Sequence, residues 1–380
     1  MRPLVLAGRL RQSGGTAGGL RRTPGPFSSV MSFLLYGAYG YTGRLIARLA
    51  AERGLRPVLA GRDPDRLADL ADELSLDHVA VGLGNDRALD RALDGVPLVL
   101  HAAGPFSQTS APMAEACLRT GTHYLDVTGE IAVFEALAAL GDRARERGVT
   151  VLPGVGFDVV PTDCLAAHVA GRLPGATRLQ IAIRALSSAS HGTAQTAVEQ
   201  AGQPGAARVA GQILDVPPAH DQVEVDFGDG RPRTCTAIPW GDVSTAYHST
   251  GVPNVTTYAA LPPTAVRFMK ASRYLGPVLR SAPVQGGLRA LVSRAVSGPS
   301  EADRQRGRSF AWARATDGAG GSAAAVWSGP EGYALTADAA LRSALAVLEG
   351  RADVGFQTPS LAFGPDFALE MEGTARRDLD

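Results

Sequence analysis

The residues best suited to chemistry in this sequence are three glycines, Gly37, Gly40 and Gly43, spaced three residues apart. Glycines at such positions allow a tight turn, let backbone N–H groups approach a pyrophosphate, and let a helix pack closely on a sheet. The residues between them that would share the site are Tyr39, Tyr41 and Thr42. The segment therefore predicts a loop that binds the phosphates of a dinucleotide at a helix N-terminus.

The elements that must position this loop are a strand before it and a helix after it. The apolar run Phe33 to Tyr36 is short enough for a buried strand. Apolar residues then recur at helical spacing over 45–50, and a second apolar run follows at 57–60. Strand, glycine turn, helix and strand within about thirty residues are typical of a dinucleotide-binding βαβ unit. The alternative is a glycine-rich turn in some other α/β fold.

The end of the second strand indicates which dinucleotide binds. NAD sites usually carry an acidic residue there for the ribose hydroxyls, whereas NADP sites often carry arginine for the 2′-phosphate. This chain has Gly61-Arg62, with Arg66 one helical turn further, and Asp63 suits the N-cap of a helix that begins at Pro64. We therefore predict NADP(H), with Arg62 on the 2′-phosphate. The alternative is that Arg62 is a solvated surface arginine.

The composition of the 380-residue chain narrows the classes of function. The formal net charge is zero, so no overall field favours a nucleic acid. The three cysteines are too few and too scattered for a metal site, and they suit a reducing, cytoplasmic compartment. Lys270 is the only lysine, and Val266 lies four residues before it, so a Tyr-x-x-x-Lys reductase pair and a Walker lysine are both excluded. No apolar run approaches the roughly twenty residues that span a bilayer.

Residues 1–30 contain five arginines and no acidic residue, and they show no periodic pattern. We expect a disordered extension, with Met31 opening the functional protein just before the first strand. The alternative is an organelle transit peptide, which is also rich in arginine and poor in acids.

The rest of the chain predicts two domains. Strands alternate with helices up to about residue 152, which indicates an α/β fold with an N-terminal Rossmann domain, a doubly wound parallel sheet. We assign this domain to residues 31–170, completed by about 335–380, where a periodic helix at 336–348 and a final helix would return to it. Ligands bind at the carboxyl ends of such strands. We therefore expect ligand contacts in the turns that follow the strands, at 37–43, 61–62, 103–106, 126–130 and 154–158.

The regular alternation of strands and helices ends at about residue 178. We predict an inserted α+β second domain over 171–334, largely antiparallel, for substrate binding or for assembly of a homodimer. Its predicted elements are a strand at 177–186, a helix at 193–214, a hairpin of 222–227 with 233–238, and strands at 309–316 and 323–328.

The stretch from Val243 to Ser300 contains no acidic residue. Its six cationic residues, interleaved with aromatic and aliphatic ones, are Arg267, Lys270, Arg273, Arg280, Arg289 and Arg294. A basic amphipathic stretch can lie on an anionic membrane surface. We therefore expect peripheral contact with an anionic membrane, such as the plasma membrane. The alternative is a solvated helical face on an ordinary domain.

Several ordered motifs resemble the saccharopine-dehydrogenase-like oxidoreductases, which include bacterial trans-acting enoyl reductases. The motifs are GAYGYTG, VLAGR, HAAGPF, THYLDVTGE and GVGFDVVPTD between about 33 and 163, then SHGT at 190–193, GYALT at 332–336 and Thr358-Pro359. The resemblance implies that Gly37, Gly40 and Gly43 form the phosphate loop and Gly61-Arg62 the adenosine-side motif. It also implies that Ala103, Gly104, Pro105 and Phe106 lie beside the nicotinamide ribose.

The resemblance implies an NADP(H)-dependent reductase of a lipid or carrier-bound acyl substrate, as in glycolipid and polyketide-lipid biosynthesis. The lysine-forming saccharopine enzymes use a Lys and His pair, but this chain has no lysine in its Rossmann half. Direct lysine-pathway chemistry is therefore disfavoured. Semialdehyde and acylglutamyl-phosphate reductases need a nucleophilic cysteine, and no matching cysteine motif occurs here.

Hydride transfer also needs a proton source. The candidates in the strand-end loops and at the start of the second domain are Tyr124, Asp126, Asp158 and His191, with His123 and Glu130 nearby. Each has a structural alternative: Tyr124 as a satisfied strand residue, Asp126 and Glu130 as N-cap or first-turn residues of the next helix, and His191 as a structural histidine.

Three functions from different classes stay open. The first is the acyl reductase, and the second is an NADP-dependent dehydrogenase of a small amino-acid-derived imine. The third is a membrane-associated nucleotide-binding protein without turnover. An apolar cavity in the second domain would favour the first, and convergent arginines the second.

Overall fold

The computed structural model describes residues 33–185, 198, 202–295 and 299–379. The predicted extension at residues 1–30 and the candidate His191 lie outside these residues. The described chain forms two sheets, each with its own apolar core.

The first sheet is parallel throughout the described chain and has seven strands. Its strands are β1 (Leu34–Tyr36), β2 (Val58–Gly61), β3 (His78–Ala80), β4 (Leu98–His101), β5 (His123–Asp126), β6 (Thr150–Leu152) and β15 (Gly355–Phe356). They lie in the order β15-β6-β5-β4-β1-β2-β3. The order reverses between β1 and β4, and ligands of doubly wound sheets bind at this kind of reversal.

Helices cover both faces of this sheet because its strands are apolar on both sides. They are α1 (Tyr41–Glu52), α2 (Pro64–Leu74), α3 (Asp86–Leu93), α4 (Phe106–Thr120), α5 (Ile131–Ala138) and α6 (Gly141–Glu146). The next helix, α7 (Val160–Arg172), packs on the second sheet instead. Asp63 caps α2 as predicted, since its carboxylate accepts a hydrogen bond from the Arg66 amide. These findings confirm the doubly wound Rossmann fold.

The second sheet has nine described strands. They are β7 (Arg178–Ala185), β8 (Gly205–Val209), β9 (Gln212–Val216), β10 (Gln222–Val225), β11 (Arg233–Ala237), β12 (Asn254–Ala259), β13 (Arg308–Thr316), β14 (Ser322–Pro330) and β16 (Ala375–Leu379). All described pairs are antiparallel except β7 with β12. The predicted hairpin around Asp229-Gly230 and the predicted strand pair after residue 308 are confirmed.

The helices after β11 are α8 (Asp242–Thr250), α9 (Pro263–Leu279), α10 (Ala282–Ala295), α11 (Glu301–Arg306), α12 (Gly332–Leu348) and α13 (Pro359–Phe363), followed by a 3₁₀ turn at Phe367–Leu369. Helix α12 returns to the first domain as predicted. Its apolar residues Ala337, Ala340, Leu341, Ala344 and Val347 share a core with β1 and α1.

Two element predictions are wrong. The predicted helix at 193–214 is wrong over 202–214, which contain β8 and the start of β9, because Pro204 and Gly211 interrupt the alanine-rich segment there. Most of its remaining part, 193–201, lies outside the described residues. Ala210 and Gly211 form the turn between β8 and β9 with φ of 48° and 81°, as a two-residue hairpin requires. The final helix predicted after Gly364 is also absent: beyond α13 and the 3₁₀ turn, the described tail ends as β16 paired with β14 of the second sheet. Those last residues were expected to complete the first domain.

Candidate functional site: a dinucleotide cleft

The glycine loop leaves no room for larger side chains at two of its positions. Gly37 has φ of +81°, and a Cβ there would lie 2.8 Å from the backbone nitrogen of Ala103 at the end of β4. A Cβ on Gly43 would overlap the carbonyl oxygen of Gly37. Gly40 is less tightly enclosed, with 3.2 Å to the same oxygen. Close approach of α1 to the strand ends therefore depends on Gly37 and Gly43.

The N-terminus of α1 is open to an anion. Its N-cap is Gly40, which has no side chain to accept the first amide hydrogens, and the first turn contains no acidic residue. Those amides and the positive end of the helix dipole suit a pyrophosphate. Thr42, in this first turn, is half-buried. The loop thus fits the phosphates of a dinucleotide.

The adenosine side of the cleft is built around the ring of Tyr39. A Cβ on Gly61 would lie 2.6 Å from that ring, so glycine at the end of β2 makes room for it. The Arg66 guanidinium stacks over the ring at 4.5 Å and donates to the Tyr39 carbonyl at 3.2 Å. Arg62 is exposed and has no ion pair among the described residues. Arg66 therefore fixes Tyr39, and Arg62 is free to bind a 2′-phosphate.

The segment Ala103 to Phe106 joins β4 to α4 and faces the glycine loop. The Glu130 carboxylate accepts hydrogen bonds from the backbone amides of Phe106 and Ser107, both at 2.9 Å. Glu130 was expected to serve the helix after it, but its side chain caps α4, 24 residues earlier. The hydroxyl of Thr109 donates to the Ala103 carbonyl at 2.7 Å. These contacts fix the segment that is expected beside the nicotinamide ribose.

Tyr41 lies at the junction with the second domain. Its hydroxyl donates to the Pro299 carbonyl at 2.7 Å and accepts from Arg304 at 3.0 Å. Its ring contacts Tyr333 edge-on at 4.9 Å. Contact of Tyr41 with the cofactor stays a prediction, and its hydroxyl holds α1 against the segment around α11.

Tyr124 and Asp126 are fully buried on β5. The Tyr124 hydroxyl donates to Asp126 at 2.6 Å, and the other Asp126 oxygen accepts from the amides of Thr128 and Gly154, both at 3.0 Å. Burial raises the pKa of Asp126 to about 6 although these hydrogen bonds oppose the shift. Asp126 was considered as a cap of the following helix, whereas it joins the turns after β5 and β6. His123 accepts from the Thr150 amide at 2.9 Å.

Asp158 differs from the other acids at this edge of the sheet. Its carboxylate is half-buried and has no hydrogen-bond partner among the described residues. It lies against Gly129, where a Cβ would be 2.8 Å from Oδ2. Burial raises its pKa to about 6, and no charged side chain contributes to this shift. Gly129 directly precedes Glu130, whose carboxylate caps α4. Asp158 therefore lies next to the segment that holds the start of α4.

No sequence pattern pointed to Trp240, a second-domain residue outside any regular element. Its indole nitrogen donates to the Asp158 carbonyl at 2.7 Å. The neighbouring Gly241 would place a Cβ 3.3 Å from the Gly129 carbonyl. The second domain therefore reaches the carboxyl edge of the first sheet at Asp158. A tryptophan followed by glycine in an irregular segment is the only signal that the sequence offered.

A second contact between the domains was also missed. One Glu135 oxygen on α5 accepts from Arg208 at 2.6 Å, Ser244 at 2.5 Å and His248 at 3.3 Å. The Arg208 side chain is only 4% exposed and stacks on Tyr247. Hydrogen bonds from His248 and Ser244 and the charge of Arg208 lower the pKa of Glu135 to about 2. Burial opposes this shift.

In the part of the chain that the structure describes, no group of His, Cys, Asp or Glu side chains could hold a metal ion. Over the same residues, no helix combines the length and apolar character needed to cross a membrane.

Comparison with known proteins supports the assignment of the cleft. Residues 33–152 match the family model of the saccharopine dehydrogenase NADP binding domain. The trans-acting enoyl reductase of Mycobacterium ulcerans (strain Agy99) is 29% identical over 144 residues, 36% of this chain and 34% of that protein. The saccharopine dehydrogenase-like oxidoreductase of Mus musculus is 25% identical over 162 residues, 37% of this chain and 38% of that protein. The matches thus span about a third of each curated relative.

The likeness in structure extends further than the likeness in sequence. The apo histidine-tagged saccharopine dehydrogenase (L-Glu forming) from Saccharomyces cerevisiae has a TM-score of 0.64 at 12% identity, over 92% of this chain and 100% of that chain. This likeness shows a shared fold that includes the second domain. Residues 33–152 are therefore similar to the saccharopine dehydrogenase NADP binding domain, and the chain shares the overall fold of a saccharopine dehydrogenase.

Proposed function

We propose that this protein is an NADP(H)-dependent oxidoreductase that reduces the double bond of a lipid-like or carrier-bound acyl substrate. The match to an NADP binding domain, the open N-terminus of α1 and Arg62, which has no ion pair with any described residue, support the cofactor half of the proposal. The names of the mycobacterial relatives, trans-acting enoyl reductases, support the acyl half.

Asp158 is the observation that carries the proposal. A bound NADPH supplies a hydride, and reduction of a conjugated double bond then needs one proton for the carbon next to the carbonyl. A carboxyl with a pKa of about 6 holds a proton in part of the molecules near neutral pH. Asp158 also lies between the loop around Gly129 and Trp240, where the two domains meet. We assign it the role of proton donor.

The charge around Asp158 favours an acyl group over an amino-acid-derived imine. Such an imine carries a carboxylate, which usually pairs with arginine. Among the described residues no arginine is close enough to shift the pKa of Asp158. Its neighbourhood is instead the indole of Trp240 and backbone of the first domain. An uncharged acyl chain suits that environment better.

The test is a screen of NADPH oxidation against enoyl thioesters of increasing chain length and against keto acids mixed with amino acids. We expect oxidation with the enoyl thioesters, at a rate that falls as the pH rises above about 6, because the proton donor is then ionised.

The matched variants are Asp158→Asn and Asp142→Asn, the latter a solvent-exposed aspartate on α6. Loss of a general acid costs roughly a hundredfold or more in kcat. We expect that loss only in the first variant, with unchanged NADPH affinity in both. Oxidation with the keto acid mixtures alone would indicate an imine dehydrogenase. Cofactor binding without turnover on any substrate would indicate a nucleotide-binding protein.

A further inference from the structure

Helix α9 exposes large apolar side chains to solvent. Phe268, Tyr274, Leu275 and Val278 are 55%, 86%, 47% and 58% exposed. Four of the eight large hydrophobic side chains that are exposed in the described chain thus belong to this single helix. Scattered exposed hydrophobic residues are ordinary on a protein surface, but a cluster on one element marks an interaction site.

The exposed residues form one continuous face. Phe268, Leu275 and Val278 follow a spacing of seven and three residues, which places them on the same side of a helix, with Tyr274 at its margin. The side of the helix that packs on the domain includes two small residues. Ser272 is 7% exposed, and a Cβ on Gly276 would lie 3.1 Å from the Gly202 carbonyl.

An ordinary surface helix exposes mainly polar residues on its outer side. Helix α9 has large apolar residues on both sides: Val266, Met269 and Leu279 are partly buried. Phe268, Leu275 and Val278 are exposed on the outer side. The side chain of Arg273 strengthens this orientation, since it donates to the carbonyls of Pro218 and Ala219 at 2.8 and 2.9 Å. The outward face is therefore fixed by contacts on the inward one.

Cationic side chains predominate beside this face, and one acidic residue, Asp215, lines the cleft next to Tyr274. Arg267 and Lys270 are exposed on α9, and neither forms an ion pair with any described residue. The sequence contains no acidic residue from Val243 to Ser300. A symmetric contact with a second copy of the chain would bring these cations against their own equivalents, which is unfavourable. A negatively charged partner surface complements them.

We propose that the α9 face docks the protein peripherally onto an anionic lipid membrane. Phe268, Leu275 and Val278 enter the boundary between headgroups and acyl chains, and Arg267 and Lys270 bind the lipid phosphates. Large apolar and cationic residues on one helix are the features of an interfacial helix. The proposal stands on α9 alone and does not depend on the reaction proposed above.

Co-sedimentation of the full chain with vesicles tests this surface. One set of vesicles contains phosphatidylcholine and phosphatidylserine, and the other contains phosphatidylcholine alone. We expect binding to the first set only, and the same binding with and without NADPH. Binding should weaken as salt rises, because a Debye length of about 10 Å at 0.1 M screens surface charge.

Variants of α9 separate the contribution of the cations to membrane binding from the contribution of the apolar residues. A cation near an anionic surface changes affinity about fivefold, so Arg267→Gln with Lys270→Gln should lower the partition coefficient roughly twenty-five-fold. Phe268→Ser with Leu275→Ser should abolish binding. Matched controls are Leu361→Ser, which removes a leucine with the same 47% exposure, and Arg147→Gln, an exposed cation of the first domain. Both controls should bind like the parent, and all variants should keep its melting temperature.

Three outcomes would overturn the proposal. The first is no sedimentation with anionic vesicles at low salt. The second is sedimentation that survives both α9 variants. The third is a concentration-dependent dimer in analytical ultracentrifugation without lipid that Phe268→Ser with Leu275→Ser dissociates, since the face would then join two copies of the chain.

Discussion

Arg62 and Asp158 differ in what surrounds them, and this difference assigns them different roles. Arg62 is exposed at the end of β2 and has no ion pair among the described residues, so a ligand phosphate can become its partner. Asp158 is a half-buried carboxylate without a hydrogen-bond partner in that same set, and burial raises its pKa. An unpartnered charge costs stability, and proteins tolerate that cost mainly at functional sites.

Removal of the Arg62 side chain should change cofactor preference. A charge-assisted contact to phosphate is worth about 1.5–3 kcal/mol, so Arg62→Ala should weaken NADPH binding about ten- to a hundredfold. NADH lacks the 2′-phosphate, and its affinity should not change. Calorimetric titration of both cofactors measures the difference, with Arg147→Ala as the control. Equal affinity of the parent protein for NADPH and NADH would contradict this assignment.

Asp158 should also affect stability as a function of pH. Its pKa is about 6 in the folded protein and ordinarily 3.8, so the unfolded chain ionises first as the pH rises. The parent therefore loses stability between those two values, relative to Asp158→Asn, and the difference stays constant above pH 6. We expect the variant to be more stable by about 3 kcal/mol at neutral pH, since one pKa unit corresponds to about 1.4 kcal/mol. Urea unfolding at several pH values measures this, and a pH-independent difference would be inconsistent with the burial of an ionisable group.

At the scale of elements, the cleft depends on how closely α1 approaches the ends of β1 and β4. Gly43 lies within α1, where alanine would ordinarily be favoured by about 1 kcal/mol. Its Cβ would overlap the Gly37 carbonyl, and backbone atoms cannot move aside as a flexible side chain can. Helix propensity and packing therefore predict opposite effects for the same substitution.

We expect the effect of packing to exceed the effect of helix propensity at Gly43. Gly43→Ala should lower the free energy of unfolding by roughly 1–3 kcal/mol, as overpacking does, and should weaken NADPH binding. Gly171 is the matched control, because it is helical in α7 and has open space around its Cα. Gly171→Ala should be neutral or slightly stabilising. Chemical denaturation gives both values, and the same sign for both variants would show that α1 can shift without cost.

At the scale of the whole molecule, the geometry of the cleft depends on a fixed arrangement of the two domains. Trp240 contacts the loop of Asp158, and Glu135 accepts hydrogen bonds from Arg208, Ser244 and His248 of the second domain. Arg208 is almost fully buried, so loss of Glu135 would leave a buried charge without its carboxylate. The same contact would therefore support both stability and the geometry of the proposed site.

Glu135→Ala should destabilise the protein by about 2 kcal/mol, between the values for exposed and fully buried ion pairs, because Glu135 itself is partly exposed. Glu115→Ala is the control, since Glu115 pairs with Arg143 on the surface of the first domain. It should cost less than about 1 kcal/mol. Thermal unfolding and limited proteolysis measure both. Equal losses of stability in the two variants would show that the contact between the domains stabilises the protein no more than a surface ion pair does.

The sequence by itself determined the local features of the first domain. The glycine spacing, the apolar runs of β1 and β2 and the cap at Asp63 act within a few residues, so periodicity and backbone geometry suffice to predict them. The same local signals located the glycine loop and Arg62. They misled where alanine-rich sequence favoured a helix over 193–214, because Pro204 and the turn at Gly211 determine the local fold of its described part, 202–214.

Only the tertiary structure decided which polar groups meet. Glu130 caps a helix 24 residues earlier in the chain, and Trp240 binds a carbonyl 82 residues away. Asp126 is satisfied by three donors, whereas Asp158 has no described partner, although both are aspartates at strand ends. Sequence spacing carries no information about such contacts, because long-range packing sets burial and hydrogen bonding. The choice of Asp158 among the candidate proton donors therefore came from the fold.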